Sequence, residues 1–391
     1  MKVAVVGAGA AGCFAALVLR RLRPDIPVDI FESGNRPLAK LALTGGGRCN
    51  LTNTFETVTD LGKVYPRGER LMRRALSVFG PRELMDWWEK EGVALHVEDA
   101  GRVFPDSGDA MQVVRTLLRG LERSGVPVHC RRPVRSLAEL SGYERILIAS
   151  GGGALDMLAG TETAIQPCVP SLFGLALSPH PLRPLSGLSV PSVRLAVSGL
   201  RCQSEGAMLL THAGVSGPAV LCLSSYAARD LAERGYRCEL AVGWLGCGEE
   251  EAYARLQQLL RAHPARLLAS VHPEALPARL WELLLSRAGL RADIRCAEVG
   301  SKGLRRLAAL LAHDVYSVSG RNRNREEFVT CGGVSLDAVN WSSLESKTIP
   351  GLHFAGEVLD VDAVTGGFNL QAAWSTAYLV ASFIARNAEL I

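Results

Sequence analysis

The chain reads as an α/β protein built on a dinucleotide-binding βαβ unit. Three observations predict it. An apolar run at residues 2–6 leads at once into Gly7-Ala8-Gly9-Ala10-Ala11-Gly12, an apolar helical stretch follows at 13–22, and a second apolar run, Val28–Phe31, ends on Glu32. Each glycine has a task at this spacing. Gly7 permits the tight turn, Gly9 lets backbone amides approach a pyrophosphate, and Gly12 lets helix and strand pack closely. The helix start adds oriented N–H donors and the positive end of its dipole. Glu32, with Ser33 beside it, stands where a ribose diol needs an acceptor, and an acid there disfavours a 2′-phosphate, so FAD or NAD is preferred over NADP.

The remaining elements follow in order. A glycine-rich loop spans 43–53, and residues 68–91 repeat Leu71, Leu76, Phe79, Leu84 and Trp87-Trp88 at helical intervals. Short strands are predicted at 93–97 and 102–104, and an amphipathic helix over 110–124. Further strands are predicted at 126–130, 134–137 and 145–149. The last runs into Ser150-Gly151-Gly152-Gly153, the kind of strand end where open α/β sheets place ligands. Seven prolines between 167 and 218 mark a change of texture, with β-type pieces at 193–197 and 207–210. Residues 249–313 are helical in pattern, with runs at 250–262, 277–287 and 303–313; β patterning returns at 315–318 and 328–334. A strand lies within 351–356, and an apolar helix closes the chain over 370–385. These boundaries divide the chain into a discontinuous nucleotide domain, 1–185 with 316–391, an inserted β-rich part, 186–248, and an inserted helical part, 249–315.

Composition narrows the class. With 391 residues, 48% hydrophobic and 21% charged, the chain suits a globular protein of two or three domains. Residues 370–385 are short for a membrane span and carry polar side chains, so no membrane role is expected. The apolar start lacks a basic leader and a cleavage site, so it is not a signal peptide. Ten cysteines without a CxxC pair argue against a zinc site or a disulfide framework and for a reduced, cytoplasmic setting. A net charge of +4 does not diagnose nucleic-acid binding, although basic clusters occur at Arg131-Arg132, at Lys302 with Arg305-Arg306, and at Arg321, Arg323 and Arg325.

Two motifs carry chemistry beyond the opening unit. After Lys40, the run Thr44-Gly45-Gly46-Gly47-Arg48-Cys49-Asn50-Leu51-Thr52 lies close enough to Glu32 to fold back over the dinucleotide. Its glycines allow backbone approach, and Arg48 offers fixed donors to a phosphate or flavin oxygen. Near the other end, Gly356-Glu357 and Asp360 to Asp362 precede Gly366-Gly367-Phe368-Asn369-Leu370, where a helix start can bring amides against the pyrimidine side of a flavin. Cys49, tuned by Arg48 and loop amides, is a candidate proton donor, as is His212 in the insert, where Ser216-Gly217-Pro218 reads as a helix start capped by the serine.

Taken together, GAGAAG at 7–12, KLALTGGGRCNLTN at 40–53, GRVFP at 101–105, THAGVSGPAVL at 211–221, VTCGGVSLDAV at 329–339 and the run 345–374 resemble the BaiN-like bacterial flavoproteins, also called the YhiN or aminoacetone-oxidase type. The resemblance spans nearly the whole chain. It implies a glutathione-reductase-like Rossmann FAD domain with inserted β-barrel-like and small helical domains. It also implies non-covalent FAD, NAD(P)H as reductant, and cofactor contacts from the motifs above together with Val134, Ala149, Gly151 and Gly152. One departure stands out: the glycine stretch after Ala149 reaches Pro167 quickly, which weakens transfer of a substrate. Three chemistries remain open. They are reduction of an activated C=C bond in an enone-type small molecule or a ribosomal RNA uridine, oxidation of a small amine such as aminoacetone, and FAD as a structural element of a binding protein.

Overall fold

Val3–Val6 (β1) is apolar at every position because it lies inside a parallel sheet covered on both faces, and all four residues are buried. In the computed structural model, which describes residues 1–153, 155–322 and 329–388, Ala10–Leu22 (α1) follows the glycine turn and Val28–Phe31 (β2) pairs parallel to β1, Val3 opposite Val28. Thr52–Asn53 (β3), Leu61–Val64 (α2), Glu69–Val78 (α3) and Pro81–Lys90 (α4) come next. The single helical stretch expected at 68–91 is therefore two helices, because Pro81 cannot continue α3 and instead opens α4 with Gly80 as its N-cap. Leu95–Glu98 (β4) and Arg102–Pro105 (β5) complete a small antiparallel sheet in the order β3-β5-β4.

Ala110–Arg123 (α5) is capped by Asp109, whose carboxylate accepts from the Met111 N–H at 2.8 Å. Val128–His129 (β6), Arg145–Ile148 (β7) and Ile165–Ser171 (β8) follow. The strand expected at 134–137 does not form: Ser136 caps a short 3₁₀ turn, Leu137–Leu140, and Glu139 closes a capping box on it.

Contacts divide the chain into two units, 1–170 with 325–391 and 171–324. The expected domain limits lay at 185 and 316. They shift because Leu175–Leu177 (β9) and Asp314–Arg321 (β14) are strands of a barrel in the second unit. That closed barrel runs β10-β11-β12-β9-β14-β13, with Ser189–Val197 (β10), Gln203–Leu210 (β11), Gly214–Ser216 (β12) and Cys238–Gly243 (β13). Pro218–Tyr226 (α6) and Ala228–Glu233 (α7) sit between β12 and β13. The helices Glu249–Ala262 (α8), Ala278–Arg287 (α9) and Ser301–Ala312 (α10) form an excursion between β13 and β14. At the junction, Asp314 is buried and accepts from Trp244 Nε1 at 2.9 Å, Tyr316 OH at 2.5 Å and Arg287 at 2.5 Å, which compensates a buried carboxylate. Ser216 is not the cap of α6; Gly217, with φ +95°, is the N-cap and Pro218 the first helical residue.

The first unit is completed by Val329–Val334 (β15), which pairs with β8, and by Leu352–Phe354 (β16) and Phe368–Arg386 (α11). Phe328, expected in β15, lies outside the described residues. The parallel sheet runs β16-β7-β1-β2-β6, so the strand order reverses between β1 and β7, the crevice where such sheets bind nucleotides. Helix α11 packs along α1, which explains why both are apolar nearly all round. No described helix is long and apolar enough to cross a membrane.

His353, on β16, is fully buried; its Nδ1 lies 3.1 Å from the Ser343 carbonyl and its Nε2 meets no polar partner among the described residues. Burial pushes its pKa down to about 4, from an ordinary value of 6.5. The folded state therefore holds a neutral ring that the unfolded chain protonates below pH 6.5, so stability is complete above that pH and falls as pH drops towards 4. Urea titrations should show a loss of about 1.5 kcal/mol between pH 6.5 and 5 that a His353→Asn variant lacks. Parallel pH profiles for the two proteins would show that the imidazole is not the titrating group.

Candidate cofactor and active site

Four of the five parallel strands end on residues singled out from the sequence. β1 is followed by Gly7, β2 by Glu32, β7 by Ala149 and β16, after Ala355, by Gly356. At Gly7, φ is +104°, and a Cβ there would run into the Ala149 carbonyl; at Gly12 a Cβ would overlap the Gly7 carbonyl. Both glycines are compelled by backbone approach. Gly9 differs: it caps α1 in extended geometry and a Cβ on it would meet nothing within 4 Å. The open space beside Gly9 and the first-turn N–H groups around Ala10 and Ala11, which have no intrahelical acceptors, fit a pyrophosphate. Glu32 accepts from the Ala8 N–H at 2.9 Å and the Gly34 N–H at 2.6 Å, with the Ser33 hydroxyl 3.3 Å away. Its carboxylate is thus held in place with acceptor capacity left for a ribose diol.

The second cradle wall is the loop 41–47, a tight 3₁₀ turn in which Gly45, Gly46 and Gly47 all have positive φ (60°, 66° and 84°). Thr44 ties its hydroxyl to the Leu41 carbonyl at 2.7 Å. The loop is joined to the start of α11. With the Asn50 amide assigned in the orientation that satisfies both neighbours, its NH₂ donates to the Thr52 carbonyl (2.9 Å) and its oxygen accepts from the Gly367 N–H (3.0 Å). The Thr52 hydroxyl bonds Gln371, Asn53 reaches the Gly366 carbonyl at 3.2 Å, and Trp374 Nε1 donates to the Leu51 carbonyl at 3.0 Å. Gly366 (φ +131°) and Gly367 (φ +91°) allow this approach, since a Cβ on Gly367 would collide with the Thr52 carbonyl. Asn369 closes the preceding loop with a fork to Ala363 N–H and C=O, both at 2.9 Å. Phe368, whose carbonyl accepts from Tyr65 OH at 2.9 Å, and Leu370 complete the first turn of α11.

Gly356 sits between the first turn of α1 and the body of α11. Its φ is +75°, its N–H donates to the Thr376 hydroxyl at 2.9 Å, and a Cβ on it would press on Ala11 of α1. Next to it, Glu357 is held by Lys40 (2.7 Å) and by the Thr330 N–H (2.8 Å), with Gly151 alongside and Gly152 against Thr330. Val134 is buried, and the Ala149 N–H completes the sheet by donating to the Val6 carbonyl at 2.8 Å. Gly7 to Gly12, Glu32, 44–52, 356–357 and 366–370 are thus linked by direct contacts, which bring helix N-termini from both ends of the chain into one assembly of loops. The donor set suits FAD: one helix start for the pyrophosphate, an acid for the ribose, and a second helix start for the electron-rich edge of the ring.

Three expectations are corrected. Arg48 does not reach into the cleft: its guanidinium is ion-paired to Glu98 and lies 4.1 Å from the centroid of Phe104. Cys49 is fully buried with φ +60°, and burial pushes its thiol up to about 12, so Arg48 neither tunes it nor leaves it reachable by substrate. Asp362 is fully buried and grips Arg67 through two hydrogen bonds, one of 2.6 Å, so its carboxylate is committed to the protein. His212 stands exposed on the turn between β11 and β12 in the second unit. Among the basic clusters, Arg321 lies over Tyr236 (5.3 Å), Arg305 pairs with Glu250 (3.2 Å) and stacks on Tyr253 (4.6 Å), and Arg306 bonds the Gly289 carbonyl; Arg323 and Arg325 lie outside the described residues. Sequence reasoning passed over Cys168, a more exposed thiol on β8 that donates to the Gln166 carbonyl at 3.9 Å and lies within electrostatic reach of Glu357 and Asp360. Only the pairing of β8 with β15 brings it there, a contact with no local signal.

Because Gly9 has ordinary extended geometry and free space, Gly9→Val should fold normally yet emerge colourless, its isopropyl group occupying the pyrophosphate position. Circular dichroism and the absorbance ratio of 450 to 280 nm check both halves. A folded, fully yellow Gly9→Val protein would remove the pyrophosphate from this turn.

Comparison with known proteins agrees with this geometry. Residues 1–383 match a family model described as HI0933-like protein Rossmann domain. The chain is 30% identical to the ribosomal RNA dihydrouridine synthase of Escherichia coli, over 96% of each chain. It is 28% identical to the protein of the same name from Haemophilus influenzae, over 98% of each, and 27% identical to the 3-dehydro-bile acid delta(4,6)-reductase of Clostridium scindens, over 97% of each. With a two-ended FAD cradle and a family match over nearly its full length, the chain is an FAD-dependent oxidoreductase and belongs to the HI0933-like Rossmann-domain family.

Proposed function

We propose that this oxidoreductase reduces the C5=C6 bond of a uridine in ribosomal RNA, with NAD(P)H as the electron source. One observation carries the reading: two relatives named ribosomal RNA dihydrouridine synthase match end to end, with the cradle motifs in place. The bile-acid reductase supports the same bond class, since its name denotes reduction at delta(4,6) of a 3-dehydro compound. The uracil C5=C6 bond is likewise conjugated to a carbonyl, and such a bond accepts hydride at the carbon β to the carbonyl and a proton at the α carbon.

FAD, when bound, supplies the hydride. The chain holds the cofactor between two helix starts. The first-turn N–H groups of α11 at Phe368 to Leu370 would serve the edge of the ring where negative charge is favoured, and the Gly151-Gly152 turn would offer it backbone rather than side chains. Only one GxGxxG is present, so nicotinamide has no second Rossmann site and must approach the ring directly. The proton comes from a group other than Cys49, whose thiol is sealed. An rRNA substrate places the enzyme in the cytoplasm.

Anaerobic mixing with NADH or NADPH should bleach the 450 nm band within seconds. Mass spectrometry of rRNA from a strain lacking the gene should show one dihydrouridine missing, and restored by the gene. Unchanged rRNA, together with bleaching by a small amine instead of NAD(P)H, would replace this reading with that of an amine oxidase.

A further inference from the structure

We propose that Arg36, Arg131, Arg132 and Arg135 form a docking surface for the sugar–phosphate backbone of the RNA substrate, at the ribose end of the cofactor cleft. The proposal rests on the uridine-reductase reading and gives it a location on the first unit.

The four residues are brought together by two loops at the carboxyl ends of β2 and β6. Backbone bonds knit these loops: Glu32 N–H to the His129 carbonyl (3.0 Å), Arg131 N–H to the Gly34 carbonyl (2.8 Å) and Arg132 N–H to the Glu32 carbonyl (2.8 Å). Arg36 follows Gly34 by two residues, and Arg135 follows Arg132 by three. All four side chains are exposed. None has a carboxylate or hydrogen-bond partner for its guanidinium among the described residues, whereas Arg48, Arg102, Arg115 and Arg305 are each paired with an acid.

The neighbouring acids are already occupied. Glu32 accepts from the Ala8 and Gly34 N–H groups, and Glu139 accepts from the Arg135 and Ser136 N–H groups at 2.9 and 3.1 Å. Four arginines against the two carboxylates of Glu32 and Glu139 leave an excess of positive charge on these loops. Like charges gathered this way repel, and an anion relieves the repulsion; guanidinium groups match phosphate oxygens two at a time. Four of them spread over two loops suit a row of phosphates better than the one phosphate of a small ligand, so a polynucleotide is the partner the arrangement favours.

The test uses the full-length holoenzyme carrying Arg36→Ala, Arg132→Ala and Arg135→Ala, with Arg131 left alone because its φ of +56° makes that turn sensitive. A fluorescein-labelled single-stranded RNA 20-mer and deproteinised bacterial rRNA serve as probes, and binding is followed against salt. The log–log slope should become shallower by about 2, at about 0.7 for each phosphate no longer neutralised, with affinity down about tenfold or more at low salt. The matching Arg→Lys triple variant should keep the slope, and all three proteins should keep their flavin spectrum and their bleaching by NAD(P)H. An unchanged slope in the alanine variant would overturn the surface. So would a rise in KM for NADPH alone with RNA binding intact, which would reassign the arginines to a nucleotide phosphate. If the wild type binds and reduces rRNA and the alanine variant does so equally well, only the docking surface falls. A wild type that neither binds nor reduces rRNA takes the uridine reading with it.

Discussion

The first unit depends on one close approach: the backbone of Gly367, at the start of α11, against the carbonyl of Thr52 more than 300 residues earlier. Asn50 bonds both sides of the gap, and Trp374, Gln371 and Asn53 extend the seam. This contact converts a linear chain into a closed cradle. α1, from the first βαβ unit, and α11, from the last residues, are brought side by side, with Gly356 packed between Ala11 of α1 and Ala373 of α11. Everything inserted between residues 170 and 325 forms its own unit, so the cradle tolerates a long excursion provided its ends come back to this seam.

The seam also explains the division of labour among polar residues. Most conspicuous side chains of the motifs are spent on holding backbone: Asn50, Thr52, Asn369 and Asp362 bond the protein itself. What would be left for a cofactor is N–H groups and glycine surface. Such a site is electrostatically fixed before the ligand arrives, because helix dipoles and tied loops do not have to reorganise. Arg48 shows the same economy. Its charge is used against Glu98 and Phe104 to brace the loop from outside.

How much of this was legible in the sequence follows from range. The opening βαβ unit was readable because its signals are local: apolar runs of strand length, glycines at set spacing, an acid at the end of the second strand. The helices of the excursion were readable for the same reason, within one or two residues. The barrel strands β9 and β12, three residues each, and the two-residue β3 and β6 carry no periodicity of their own, and only their partners define them. The strand expected at 134–137 gave way to a capping box supplied by Ser136 and Glu139. Cys49 and Arg48 were misjudged because burial and the Glu98 partner arise from pairing across 50 residues, which no window of sequence reveals. Gly356 and Gly367 were flagged as cofactor contacts, but the reason each must be glycine, a neighbouring Ala11 or Thr52, belongs to the folded structure.

The central claim is that closing the Gly367–Thr52 seam creates the FAD site. Gly367→Ala tests it most directly, since the added methyl group meets both a positive φ and the Thr52 carbonyl. Titration of the apo-protein with FAD, followed by quenching of flavin fluorescence, should show affinity reduced by about tenfold or more, while far-UV circular dichroism and the barrel unit remain intact. Wild-type FAD affinity in a folded Gly367→Ala protein would contradict the account and place the cofactor's anchorage elsewhere.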